Sequence, residues 1–155
     1  MSLNNNHLAS NEFVVSIDRI PRMKSCATGA SIPAISCPVA VTSTPFSDLK
    51  SAGDTITFDP VTIEFSVLEG ISVWYDVQQW MRDNTPFSGF RTETGNEHSD
   101  IVITLLSNNK LPLLHIKFFN AIPINVTGFD LTYTQEDDIT SSVTFEYDYY
   151  TIEAI

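Results

Sequence analysis

Apolar and polar residues alternate with a period of two along most of this chain, which predicts short β-strands that each bury one face. Residues 12–20 place Phe13, Val15 and Ile17 on one side and Ser16 and Asp18 on the other. Pro21 ends that run, because proline has no N–H to give to a ladder. Residues 23–32 predict a weaker second strand closed by Pro33, and residues 35–44 a third, with Pro38 marking an edge strand or a bulge. Residues 55–69 carry the longest signal: Val61, Ile63, Phe65 and Val67 oppose Thr62, Glu64 and Ser66, and Asp59-Pro60 predicts a kink. Residues 100–106 and 113–119 predict a hairpin across the turn at 107–110. Residues 121–133 form a further strand region broken by Pro123 and Gly128, followed by a turn at 135–138. In the final strand, 143–152, Val143, Phe145, Tyr147 and Tyr149 face one way and Thr144, Glu146 and Asp148 the other.

One segment changes period. In residues 71–83, Val73, Val77, Trp80 and Met81 fall on one helical stripe, Trp74 widens it, and Ser72 suits the N-cap. Residues 45–54 read as a polar loop that nevertheless carries Phe46 and Leu49, so the loop is expected to dock on something. Residues 84–99 read as a second long loop. The sum is a mainly β fold: a two-sheet β-sandwich or distorted barrel of about seven to nine strands, with one α-helix inserted after the fourth. A single domain is expected over residues 12–155, preceded by a flexible, Asn-rich N-terminal arm at 1–11.

Composition narrows the partners. Hydrophobic residues make up 43% and charged residues 17% of 155 positions, which argues against disorder. No apolar run reaches the roughly 18 residues of a membrane-spanning helix, so no membrane partner is expected. The start of the chain lacks the basic-then-apolar pattern of a signal peptide, so synthesis in the cytoplasm is the default expectation. The net charge is -11, and from Phe118 to Ile155 there is no Lys or Arg against seven acids. Such a surface does not hold phosphates by counterion release, but it suits a wall past which DNA slides. Cys26 and Cys37 lie eleven apart without a CxxC pattern and read as reduced thiols buried as small apolar groups.

A reaction centre is not legible. There is no GxSxG, no P-loop and no HExxH, and His7, His98 and His115 have no metal-ligand spacing. His98-Ser99-Asp100 has the residue types of a triad, but neighbours in extended backbone point to opposite sides. Glu136-Asp137-Asp138 reads as a solvated turn rather than a cation site. The chain is therefore not expected to be an enzyme, and no cofactor or metal is expected. Long strands without basic guards toward the C-terminus predict a self-associating β protein whose last strand is completed by a neighbouring copy.

Taken in order, residues 13–21 (FVVSIDRIP), 27–36 (ATGASIPAIS), 53–67 (GDTITFDPVTIEFSV), 77–83 (VQQWMRD) and 142–152 (SVTFEYDYYTI) resemble the tail tube proteins of contractile-tailed phages, and more distantly the tube protein of type VI secretion systems. The resemblance implies the phage tail tube fold and a structural virion protein, made in the host cytoplasm and placed in the tail. It implies stacked hexameric rings through which DNA passes without specific binding, with the sheath, baseplate and tail-terminator proteins as partners. Each subunit would contribute a sheet to a continuous inner barrel. On this reading Asp18, Glu64, Glu146 and Asp148 are candidate lumen-facing residues. Phe46, Asp48, Leu49 and Lys50 are candidates for contacts between subunits and rings. The alternatives within tails are a baseplate tube initiator, a tail terminator ring or a bacterial type VI tube protein. A monomeric ligand-binding sandwich and a hydrolase stand outside that class.

Overall fold

A computed structural model describes residues 7–85, 97–134 and 136–155 of the chain. Its elements, in order, are β1 (Phe13–Ile17), α1 (Met23–Cys26), β2 (Ala27–Ser31), β3 (Ile35–Ser36), β4 (Val39–Ser43), β5 (Asp48–Ala52), β6 (Thr57–Phe58), β7 (Val61–Ser66), α2 (Ser72–Asn84), β8 (Ser99–Leu106), β9 (Pro112–Val126), β10 (Thr140–Glu146) and β11 (Tyr149–Ala154). Every strand pair is antiparallel. One layer runs β1-β8-β9-β11 and the other β2-β7-β10-β9, so β9 belongs to both.

The core lies between these layers. Val15 and Ile17 of β1, Ile101 and Ile103 of β8, and Ile116 and Phe118 of β9 face Val61, Ile63 and Phe65 of β7 and Val143 and Phe145 of β10. Helix α2 adds Val73, Val77 and Trp80. The Trp80 ring packs on Phe145 at 5.7 Å, and its Nε1 donates to the Glu97 carbonyl at 2.8 Å. The Arg19 guanidinium lies 5.3 Å over the same indole and pairs with Asp83 and Glu97, so β1, α2 and the segment entering β8 are clamped together.

The two layers are joined at a corner in β9. Asn120 there has φ of 55°, the left-handed conformation that asparagine tolerates better than most residues. Its backbone N–H, backbone carbonyl and side-chain amide nitrogen are all engaged. Its N–H donates to Asp100 Oδ1 at 3.2 Å, its Nδ2 donates to Asp148 Oδ2 at 2.8 Å, and its carbonyl meets His98 Nδ1 at 3.1 Å. Up to Ala121, β9 pairs with β8 and β11; from Ile122 on it pairs with β10.

Several sequence expectations change. Residues 23–26 form a short helical turn, so there are two helices and not one. Met23 and Cys26 are buried, and the helical turn directs both inward where an alternating strand could not. Residues 35–44 split at Pro38 into β3 and β4, and Asp59-Pro60 splits 55–69 into β6 and β7. Pro123 does not break β9; it sits beside a bulge in the β9–β10 ladder. The last strand divides at Tyr147-Asp148, and its alternation slips there. Tyr147 and Tyr150 both pack against the core, while Tyr149 is 46% exposed and stacks on Phe119 at 4.7 Å. Ser72 is not the N-cap of α2. That place is taken by Ile71 with φ of 43°, a strained conformation for a β-branched residue. Cys26 is buried as expected, but Cys37 is exposed. The expected N-terminal arm falls partly, and the loop at 84–99 largely, outside the described residues.

A cluster of aromatic rings fixes the short β3–β6 ladder to the sandwich. Phe58 of β6 meets Tyr147 and Tyr150 edge-on at 6.0 and 5.6 Å. The Tyr147 hydroxyl donates to the Asp59 carbonyl at 2.7 Å, and the Tyr150 hydroxyl donates to the Pro33 carbonyl at 3.3 Å. Burial, assisted by the charges of Tyr150, Asp59 and Glu146, pushes the Tyr147 phenol from its ordinary 10.0 up to about 12.

Two predictions follow from the corner and the aromatic latch. Asn120→Gly keeps the left-handed corner and loses only side-chain hydrogen bonds, whereas Asn120→Val must also strain the backbone. The valine variant should be less stable than the glycine variant by about 1–2 kcal/mol in urea unfolding; equal midpoints would remove the corner from the account. For Tyr147 the folded state favours the protonated phenol, so its contribution is complete below pH 10.0 and is lost as pH rises through about 12. The stability difference between wild type and Tyr147→Phe should shrink over that alkaline window, as followed by chemical unfolding at fixed pH values.

Candidate functional site

The layer β2-β7-β10-β9 presents a solvent face of unusual chemistry. On β7, Thr62, Glu64 and Ser66 point away from the core, opposite buried Val61, Ile63 and Phe65. On β10 the outward positions are Ser142, Thr144 and Glu146. Glu64 is in register with Ser142 on one side and Gly29 of β2 on the other. Thr62 and Thr144 share a hydroxyl contact at 3.3 Å across the ladder. A Cβ at Gly29 would lie 3.0 Å from Glu64 Oε2, so glycine there leaves room for the carboxylate. No residue of β2, β7, β10 or 122–126 is Lys or Arg. On β7 and β10 the exposed face is made of hydroxyls and carboxylates, while residues 122–126 add Ile122 opposite Glu146, Asn125 opposite Thr144, and Ile124, 44% exposed.

The edges of this layer matter as much as its face. Among the described residues, β2 has a ladder partner only in β7, and residues 122–126 of β9 have one only in β10. The final-strand expectation needs correction here. β10 is an interior strand between β7 and β9, and only β11 is an edge, paired to β9 alone.

The candidate lumen-facing residues separate accordingly. Glu64 and Glu146 share the polar face. Asp148 is exposed at the junction of β10 and β11 but holds the corner through Asn120, so it has a structural duty. Asp18 follows β1, in the other layer, and does not join the face. The structure thus puts Glu64 and Glu146 on one exposed face and Asp18 beside the other layer.

The segment expected to be a loop at 45–54 is half of a β-hairpin arm. β4 and β5 pair from Val39↔Ala52 to Ser43↔Asp48, and every residue of both strands is exposed. Phe46 stands at the tip, 98% exposed. Asp48 and Lys50 share one face of the arm with Val39 and Val41, while Leu49, 58% exposed, points to the opposite face. Asp48 Oδ1 accepts a hydrogen bond from Ser43 Oγ at 3.0 Å. The base is cinched at Gly53, whose N–H donates to the Pro38 carbonyl at 2.6 Å; an added Cβ would lie 2.6 Å from that same oxygen. Isolated two-stranded hairpins are marginal in water, so an arm this apolar is suited to contact with another molecule.

The triad-type residues do no such work. His98 and Asp100 hold Asn120, and Ser99 Oγ accepts from the Arg19 N–H at 3.4 Å. Among the described residues no group of three His, Cys, Asp or Glu side chains could hold a metal ion. Sequence reasoning missed Asn120, the latch of Phe58, Tyr147 and Tyr150, and the arm's strand character. An asparagine inside the otherwise apolar run 118–124 was the available signal for the corner.

Comparison with known proteins gives this fold a family. The pattern of the T4-like virus tail tube protein gp19 matches residues 9–151. The tail tube terminator protein of Enterobacteria phage T4 is 28% identical over 160 residues, covering 96% of this chain and 90% of that protein. In fold, the chain is similar to one in the sheath–tube complex of an extracellular contractile injection system, with a TM-score of 0.74 at 19% identity over 98% of this chain and 95% of that one. It is also similar to one in the tube-terminating cap of the anti-feeding prophage, with a TM-score of 0.70 at 17% identity over 100% of both chains. With a pattern that spans nearly its whole length, this chain belongs to the T4-like virus tail tube protein gp19 family.

Proposed function

We propose that this chain is the terminator of a contractile phage tail: it forms a ring, expected to hold six copies, that closes the end of the tube and keeps the channel open for DNA. The observation that carries ring formation is the β2-β7-β10-β9 layer. On β7 and β10 its face carries hydroxyls and carboxylates, and the layer has an edge at each side without a ladder partner among the described residues. Pairing β2 of one copy with residues 122–126 of the next is a heterologous contact, the kind that closes into rings. Glu64 and Glu146 then face the channel and repel phosphates, with ring symmetry multiplying their field. The repeating tube subunit was the first expectation from sequence. The likeness to the T4 terminator over 96% of the chain favours the terminator instead. The sheath, the tube below and the baseplate are its partners in the tail, and no step of chemistry is required of it.

The likeness to a chain in a sheath–tube complex supports a second reading, the repeating subunit itself. Electron microscopy of the purified protein separates the two. A terminator gives single rings at high concentration; a repeating subunit gives long stacked tubes; a monomer at all concentrations contradicts both. For the arm, Phe46→Ala combined with Leu49→Ala should leave thermal unfolding of the subunit nearly unchanged, because neither side chain is buried within it. It should block assembly, since each buried side chain of this size contributes about 1.5–3 kcal/mol at an interface. Unchanged assembly in sedimentation would remove the arm from the interface.

A further inference from the structure

We propose that the pocket under the β9–β10 connection is the docking site for a different protein, one that presents an apolar side chain flanked by Lys or Arg; this goes beyond the ring reading and does not depend on it. The pocket, about 660 Å³, lies within residues 128–140. Its floor is fixed before any partner arrives. Phe129 meets Trp74 of α2 edge-on at 5.6 Å, Trp74 Nε1 donates to the Thr127 carbonyl at 3.1 Å, and Ser141 Oγ donates to the same carbonyl at 2.7 Å. At the other end of the connection the Val67 N–H donates to the Ile139 carbonyl at 2.8 Å. A preformed pocket loses little freedom on binding.

The lining couples apolar and acidic groups. Leu131 and Tyr133 line the pocket and are 79% and 109% exposed, so neither is covered within the subunit. Leu68, next in the chain to Val67, is 53% exposed. Exposed apolar side chains gathered in this way mark an interaction site. Asp130, Asp137 and Asp138 line the same pocket, and among the described residues none of them has a basic partner. There is no Lys or Arg at 51–81 or at 118–155, the two stretches that supply the pocket and its floor. Three carboxylates around one apolar opening select an occupant that brings cations around an apolar side chain.

Among the described residues, a second copy of the chain does not supply that occupant. Arg19 and Lys117 are already paired with acids. Arg22 and Lys24 flank Met23, which is buried, so its side chain cannot accompany them into a pocket. On the β4–β5 arm, Asp48 lies nearer the tip than Lys50 and cancels its charge. Arg82, in the last turn of α2, and Lys110, beside exposed Leu111, stand singly, and one cation does not match three carboxylates. The charge match therefore selects a different chain.

The test uses the full chain and a labelled amphipathic helical peptide of Leu and Lys, followed by fluorescence anisotropy. The peptide should bind, and a matched peptide with Ser in place of Leu should bind about tenfold more weakly. Tyr133→Ala should weaken binding of the Leu–Lys peptide about tenfold, and Asp137→Asn with Asp138→Asn should do the same. Tyr133 is exposed in the subunit and the Asn pair keeps the shape of the Asp pair, so both variants should fold as wild type. Glu64→Gln with Glu146→Gln removes the same charge from another face and should leave binding within about twofold. Equal losses from the two acid pairs, or no loss in Tyr133→Ala, would mean adsorption to net charge and overturn the docking. Absence of binding up to about millimolar peptide would overturn it as well. Self-association of the protein alone that Tyr133→Ala weakens would assign the pocket to a second copy and also overturn it. Protein that stays monomeric, yet loses the peptide in Tyr133→Ala, contradicts the ring reading and supports this docking.

Discussion

The corner at Asn120 is the constraint on which the rest of the structure depends. A single long strand serves both layers of the sandwich, and a strand can do so only if its direction changes within it. The left-handed φ at Asn120 supplies the change. Asp100 and His98 supply partners for the Asn120 N–H and carbonyl, and Asp148 holds its side-chain amide. Buried or half-buried backbone without such partners is costly. This explains why an asparagine stands amid Phe118, Phe119 and Ala121, and what His98 and Asp100 of the His-Ser-Asp run are bonded to.

Given the corner, the polar layer is free to be an outer surface. Its inner face carries Val61, Ile63, Phe65, Val143 and Phe145, all fully buried, so the subunit is stabilised without help from the opposite face. The arm is the converse case. It draws no stability from the core and is held only at its base, by the Gly53–Pro38 closure and by the aromatic latch on Phe58. Stability in this molecule is thus concentrated in the sandwich, and the arm and the polar face are segments whose change would not unfold it.

That division also decides what the sequence could reveal. Period-two alternation exposed β7, β8, β10 and the first half of β9, because each has one face in the core and one in water. The stripe of Val73, Val77 and Trp80 exposed α2 for the same reason. The arm has no buried face, so residues 45–54 showed no alternation and read as a loop, although Phe46 and Leu49 marked it as a contact segment. Met23 to Cys26 form one helical turn, too short for a period of 3.6 to register. Tyr149 was placed inward because nothing local signals the slip at Asp148, whose cause is a hydrogen bond to a residue 28 positions away. Asp18 was grouped with Glu64 by alternation alone, which gives the face of a strand but not the sheet that the strand joins.

The central claim is that the β2-β7-β10-β9 layer of each copy forms one segment of a continuous channel wall. A cryo-electron microscopy map of the assembled ring tests it most directly. The account predicts Glu64 and Glu146 facing the axis, and β2 of one copy at ladder spacing, about 4.7–4.9 Å, from residues 122–126 of its neighbour. A ring in which Glu64 and Glu146 lie on the outer wall, or in which those two edges face solvent, would contradict it.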